Sequence, residues 1–146
     1  MLAFNKARAK FYPYNEVYLE APKKAINLPE GSPTKHQYVR LDSYVPNKEI
    51  VSRKYTQLSE VSEETAIRYL KELSDKYAPG TKIADVPSNI SGANAGIFKA
   101  NKGKVLDGQM ILEVPVQAKA VPKRVIDYAS LKGIKIRDIN NHIYNK

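Results

Sequence analysis

Hydrophobic and polar positions change period several times along the chain, and each change marks an element. From His36 to Val45 the pattern alternates, with Val39 and Leu41 on one side and Tyr38, Arg40, Asp42 and Tyr44 on the other, as in a half-buried strand. Val51, Tyr55 and their neighbours repeat this composition after a turn at Pro46-Asn47-Lys48, which predicts a hairpin of about 36–45 with 49–57. A helical period follows. Ile67, Leu70, Leu73 and Tyr77 recur at helical spacing, Ser59 or Ser62 can cap the helix, Glu63 and Glu64 suit its first turn, and Pro79-Gly80 stops it.

Thr81 to Val86 reads as a short strand, and the segment from Pro87 to Lys104 has no period and reads as a loop. Gln109 to Val116 places Met110, Leu112, Val114 and Val116 on one face and Glu113 and Gln117 on the other, after a turn at Leu106-Asp107-Gly108. This is the best central strand, although Pro115 limits its pairing. A second helix starts at Pro122, turns Val125, Ile126 and Ala129 inward and stops at Gly133. A final hairpin is predicted through Ile134, Ile136 and Ile139, turning at Asn140-Asn141 and returning by Ile143 and Tyr144.

Residues 1–35 break every period, with Pro13, Pro22, Pro29 and Pro33 spaced through them. They read as an irregular lead-in whose one local option is a short helix from about Asn5 to Phe11. Residues 36–146 then form a single compact domain. The expected class is α+β: a mainly antiparallel sheet of about five or six strands with two helices packed on one face.

Composition narrows the function. The 146 residues include 24 Lys and Arg against 15 Asp and Glu, a net charge of +9 that favours polyanions and makes nucleic acid the leading partner class. An anionic membrane surface or an acidic protein would also suit that charge. There is no cysteine, which excludes disulfides, thiolate zinc sites, iron-sulfur clusters and cysteine nucleophiles. The basic N-terminus leads into no apolar core and no run of 18 apolar residues occurs, so neither a cleavable signal nor a membrane span is expected, as in a module cut from a larger exported protein.

A glycine-rich phosphate loop, GxGxxG, HExxH and the nucleophile elbow are all absent, so no nucleotide cofactor and no metal is expected. Metal-dependent nucleases pair a carboxylate with Glu-x-Lys on adjoining strands. Here Asp107 is followed by Glu113-Val114-Pro115, without the lysine. A basic domain can cleave RNA without metal by using the substrate's own 2′-hydroxyl, given a base, an acid and cations for the phosphate. His36 and His142 are the only histidines, and Glu113, if lifted by burial, is the other candidate base.

His36 lies near Arg40, and the turn brings back Arg53-Lys54-Tyr55-Thr56-Gln57, a run suited to a phosphate and a stacked base. The catalytic candidates are therefore His36, Arg40, Arg53, Lys54 and Glu113, with Tyr55, Thr56 and Gln57 positioning substrate. His142, one residue past a turn, is a weaker candidate. Lys99, Lys102 and Lys104, with Lys119, Lys123 and Arg124, read as a backbone-binding rim or as a solvated surface. Arg137-Asp138 reads as an ordinary ion pair.

Three segments carry a resemblance: Ser52-Arg53-Lys54-Tyr55-Thr56-Gln57-Leu58, Pro79-Gly80-Thr81-Lys82-Ile83-Ala84-Asp85-Val86-Pro87-Ser88, and Gly108-Gln109-Met110-Ile111-Leu112-Glu113-Val114-Pro115-Val116-Gln117. Together they resemble the C-terminal toxin modules of bacterial polymorphic toxins, of the kind that ends contact-dependent growth inhibition proteins, from about residue 36 through Ile139. The resemblance implies a toxin secreted as part of a larger effector, acting in the target-cell cytoplasm and neutralised by a cognate immunity protein. Many such modules are ribonucleases, some with the fold of the barnase, EndoU and RelE group. Others attack DNA, NAD or membranes. The reading is a metal-independent endoribonuclease cleaving tRNA or rRNA, monomeric when free, with an acidic immunity partner expected from the +9 surface. Its alternatives are a toxin acting on NAD or another nucleotide and a non-catalytic RNA-binding module.

Overall fold

The computed structural model describes residues 2–21 and 37–145. The elements are α1 (Leu2–Ala9), β1 (Tyr14–Glu20), β2 (Tyr38–Val45), β3 (Glu49–Arg53), α2 (Glu63–Lys76), α3 (Pro87–Ile90), α4 (Ile97–Ala100), β4 (Gln109–Val114), α5 (Lys123–Leu131) and β5 (Ile134–Asp138). The five strands form one open sheet in the order β1-β2-β3-β4-β5, and the class is α+β. The connections set the pairing. Between β2 and β3 the short turn forces an antiparallel pair, and β1 also runs antiparallel to β2. Helical crossovers through α2 and α5 return the chain in the same direction, so β3, β4 and β5 run parallel.

Helix α2 begins where its sequence allows: the Ser62 hydroxyl accepts from the Thr65 N–H at 3.1 Å, with Glu63 and Glu64 at the positive end of the dipole. It buries Ala66, Leu70 and Leu73, and α5 buries Val125 and Ala129. These side chains share one core with Leu112 and Val114 of β4 and Ile134 and Ile136 of β5, so α2 and α5 cover one face of the sheet. The alternation of a strand then sends Arg53, Glu113 and Arg137 to the opposite face.

The first residues do more than lead in. Residues 2–9 are helical and Tyr14–Glu20 is an edge strand of the sheet, with Val17 and Leu19 fully buried. Pro13 sits just before β1, where a proline costs no ladder bond. Three other local expectations change. Thr81 to Val86 makes only isolated bridges, Leu19 with Ile83 and Lys82 with Val105. The segment expected to be a loop contains α3 and α4, fixed to β1 because Asn94 exchanges two hydrogen bonds with the Asn15 backbone, at 3.2 and 2.8 Å. The final hairpin shortens to one bridge, Arg137 with Ile143, since Asp138 Oδ1 draws in the N–H groups of Asn140 and His142, and the Asn145 side chain takes the Ile136 N–H.

One turn has a strict requirement. Gly108 has φ +125°, and a Cβ there would lie 2.5 Å from the Lys48 carbonyl carbon. We expect Gly108→Ala to cost about 3 kcal/mol, from backbone strain and a clash that no side-chain movement relieves, measurable as a lowered urea midpoint with unchanged m.

Candidate functional site

Arg53, Glu113 and Arg137 are register partners across β3, β4 and β5. They therefore form a row on one face, near the carboxyl ends of the three parallel strands. In open sheets with helical crossovers that end is where ligands gather. Glu113 has no exposed surface and Arg53 is 1 % exposed. The Arg53 Nε donates to Glu113 Oε1 at 2.6 Å, and its Nη2 donates to the Ser43 hydroxyl.

The N-terminal arm completes the cluster. Arg8 of α1 donates to both Glu113 oxygens, at 3.1 and 3.3 Å, and the Tyr12 hydroxyl donates to Oε2 at 2.5 Å. The same Tyr12 oxygen accepts from Arg137 Nη2 at 2.9 Å, and the Tyr12 ring lies 4.9 Å from the Arg53 guanidinium. Arg137 is bidentate on Glu49, at 2.8 and 3.1 Å. Three guanidiniums thus face the carboxylates of Glu113 and Glu49, and the Asp42 carboxylate accepts the Arg53 backbone N–H at 2.7 Å. Among the described residues the buried Arg137 Nε has no hydrogen-bond partner, so it is a donor with spare capacity at this site.

Burial pushes the Glu113 carboxyl up, but the hydrogen bonds from Arg8, Tyr12 and Arg53 outweigh it and hold the group below the ordinary carboxylate range. The expectation of a base lifted by burial is corrected here: with the arm in place Glu113 is an ionised acceptor. Burial and the neighbouring Glu113 charge push the Tyr12 phenol up. Arg137 is half-buried, which works against its charge, yet Glu49 and Tyr12 hold its charged form more firmly than usual.

Of the residues proposed from sequence, this site brings together only Arg53 and Glu113. His36 lies outside the described residues. Arg40 is exposed on β2 and faces Glu16 at 3.8 Å, and β2 positions it next to Tyr18, away from the row. The Lys54 amine turns to α2, 3.5 Å from Glu72 and 5.0 Å from the Tyr69 ring centroid. Tyr55 is exposed and packs against Phe4. Thr56 and Gln57 clip two loops together: Gln57 bonds the backbone at Val116 and Ala118, and the Thr56 carbonyl accepts from Gln117.

Lys104 and Lys119 are exposed, as are Lys123 and Arg124, whose charges are met by Asp127 at 2.6 Å and by Glu64 at 3.2 Å. His142 is exposed and packs edge-on to Tyr144. The expected pair of Arg137 with Asp138 does not form, because adjacent strand residues point to opposite faces; Asp138 instead accepts from Tyr144. Arg8, Tyr12, Arg137 and Ser43 are site residues that the sequence reading missed.

Among the described residues no helix is long and apolar enough to cross a membrane, and no group of three His, Asp or Glu side chains is placed to hold a metal ion. Comparison with known proteins finds no matching family model, no similar curated protein and no similar solved structure.

Proposed function

We propose that this domain is a ribonuclease toxin acting on RNA through the substrate's 2′-hydroxyl, with the strand-end row as its site. The observation that supports it is an ionised, buried carboxylate set among three arginines on a chain of net charge +9. A bound phosphodiester would compete with Glu113 for Arg8 and take the spare Arg137 donor. Glu113 would then lose part of the stabilisation that keeps its proton affinity low. In the step itself the 2′-oxygen attacks phosphorus, its proton passes to Glu113, and the bond from phosphorus to the 5′-oxygen breaks. Tyr12 is the nearest hydroxyl to protonate the leaving oxygen. Arg53 and Arg137 oppose the charge that builds on the phosphoryl oxygens. The toxin setting, delivery within a larger bacterial effector and an acidic immunity partner belong to the same proposal and draw on the sequence resemblance.

One observation favours a second reading. Both Glu113 oxygens are already taken by three donors, which suits a structural network in a module that only binds RNA. The test is incubation of the protein with total bacterial RNA in EDTA, with the products resolved on a denaturing gel. Discrete fragments ending in a 2′,3′-cyclic phosphate are expected. Intact RNA that is still bound would move the assignment to a binding module. Consumption of NAD, or cleavage of DNA only when metal is added, would overturn the proposal.

A further inference from the structure

The polar row continues past Arg53 to the other edge of the sheet. Ser43 of β2 is the register partner of Asn15 on β1 and of Val51 on β3, two residues before Arg53. Side chains directly opposite in an antiparallel pair meet on one face. Asn15, Ser43, Arg53, Glu113 and Arg137 therefore carry the row across all five strands.

Their hydrogen bonds close a ring through the N-terminal arm. The Arg53 Nη2 donates to the Ser43 hydroxyl, which in turn donates to Asn15 Oδ1. Asn15 Nδ2 donates to the main-chain carbonyls of Ala9 and Tyr12, at 3.0 and 3.3 Å. Glu113 accepts from both the Tyr12 hydroxyl and the Arg53 Nε, which completes the circuit. Its directions are fixed. Two carbonyls require a donor, so the Asn15 amide cannot turn its oxygen toward them, and the single Ser43 proton goes to Asn15 because the guanidinium can only donate.

The turn that Asn15 holds carries Tyr12. Its own backbone bonds are two, from the Phe11 N–H to the Arg8 carbonyl and from the Tyr12 N–H to the Ala9 carbonyl, both 3.0 Å. Pro13 has no N–H to add. Glu16, next after Asn15, keeps φ +48° within the strand, a conformation that persists where neighbouring contacts impose it. The main-chain N–H and carbonyl of Asn15 are held separately by the Asn94 side chain, so replacing the Asn15 side chain leaves β1 tied down.

We propose that Asn15 is a positioning residue of the strand-end site: by clasping the Ala9 and Tyr12 carbonyls it sets the Tyr12 hydroxyl between Glu113 and Arg137. For its effect on rate the proposal rests on the ribonuclease reading, in which Tyr12 protonates the leaving oxygen. Asn15 itself touches no reacting atom. The groups that face Glu113 are Arg8 and Tyr12 from the arm and Arg53 from β3, with Arg137 of β5 behind Tyr12. Asn15 governs the two on the arm.

Asn15→Ala and Asn15→Ser test this in the whole chain. Alanine removes the clasp; serine can still meet Ser43 but is too short to span the two carbonyls, and it carries the test should the alanine variant fail to fold. Either should lower kcat on RNA by about 10–10²-fold with KM little changed, the cost of a reacting group misplaced by about 1 Å. NMR of the isotopically labelled Glu113 carboxyl supplies a readout that needs no RNA. It should titrate at higher pH in both variants, because the hydrogen bonds from the arm that favour its ionised form are loosened. A variant that is merely less stable, with Glu113 titrating as in the parent, overturns the positioning role, and so does a folded variant with the parent kcat. The two proposals separate. If the parent protein does not cleave RNA, the ribonuclease reading fails and the carboxyl titration alone decides the role of Asn15; if folded variants cleave at the parent rate, the ribonuclease reading stands and Asn15 drops out of it.

Discussion

Glu113→Gln should lower folding stability by about 3–5 kcal/mol at neutral pH. The carboxylate is the ion-pair partner of the Arg53 guanidinium, which is 1 % exposed. Glutamine keeps the shape but loses the charge and presents N–H groups where Arg8, Tyr12 and Arg53 all donate. One of those donors must be left unpaired, next to a buried guanidinium that has lost its ion pair. In a chain of this length the loss should appear as a fall of roughly 10–15 °C in Tm.

Its pH dependence has a definite sign. The folded pKa of Glu113 lies below the usual value of 4.5, so the stability it contributes is fully present above that value and is lost as pH falls through the folded pKa. The gap between parent and Glu113→Gln should therefore be constant from pH 6 to 8 and close in acid. Asp42 works the other way: burial raises its pKa, so its ionised form costs stability at neutral pH, and that cost is relieved in acid. Urea denaturation at pH 7 and pH 3 measures both effects. A Glu113→Gln protein as stable as the parent at pH 7 would show that Arg53 finds another partner and that the row is loosely held.

Period and punctuation made the central elements legible. Ser62, Glu63 and the Leu70/Leu73 spacing place α2, and the alternation around Leu112 places β4, because these signals are local. The hairpin of β2 and β3 was legible for the same reason. What local pattern could not show was the pairing of distant segments. Tyr14–Glu20 joins the sheet through β2, which its proline-rich surroundings concealed, and α3 and α4 depend on asparagine bonds to β1 that no period reports. The site divides in the same way. Arg53 and Glu113 were found because both lie on recognisable strands with the chemistry in view. Arg8 and Tyr12 reach Glu113 from more than a hundred residues away in sequence. Arg137 did leave a signal: it is the polar residue after the alternation of Ile134 and Ile136, next in register to Glu113 once β4 and β5 are known to be parallel. An antiparallel expectation for the last strands hid that register.

The second large effect is on activity. If the strand-end row cleaves RNA, Arg137→Ala should reduce kcat/KM by about 10²–10³-fold, the usual loss on removing one donor aimed at charge that develops in the transition state. Arg137 is the arginine of the cluster best suited to this test. Arg53 is committed to Glu113 and Ser43 in the interior, so its removal confuses folding with chemistry. Arg8 holds Glu113 in its low-affinity state, so its loss would weaken phosphate contact while freeing the base, two effects of opposite sign. The Arg137 side chain is 13 % exposed and hydrogen-bonds to Tyr12 rather than to Glu113 itself, and among the described residues its buried Nε–H has no acceptor. Lysine at this position could restore a charge but not the planar fork that meets Glu49 and Tyr12 together, so Arg137→Lys should recover only a small part of the rate. The loss should fall on both KM and kcat, because Arg137 meets the phosphodiester on binding and also opposes the charge that builds in the transition state. Arg137→Ala at full rate in a folded variant would remove the row from catalysis and leave it as the charged brace that holds the N-terminal arm on the sheet.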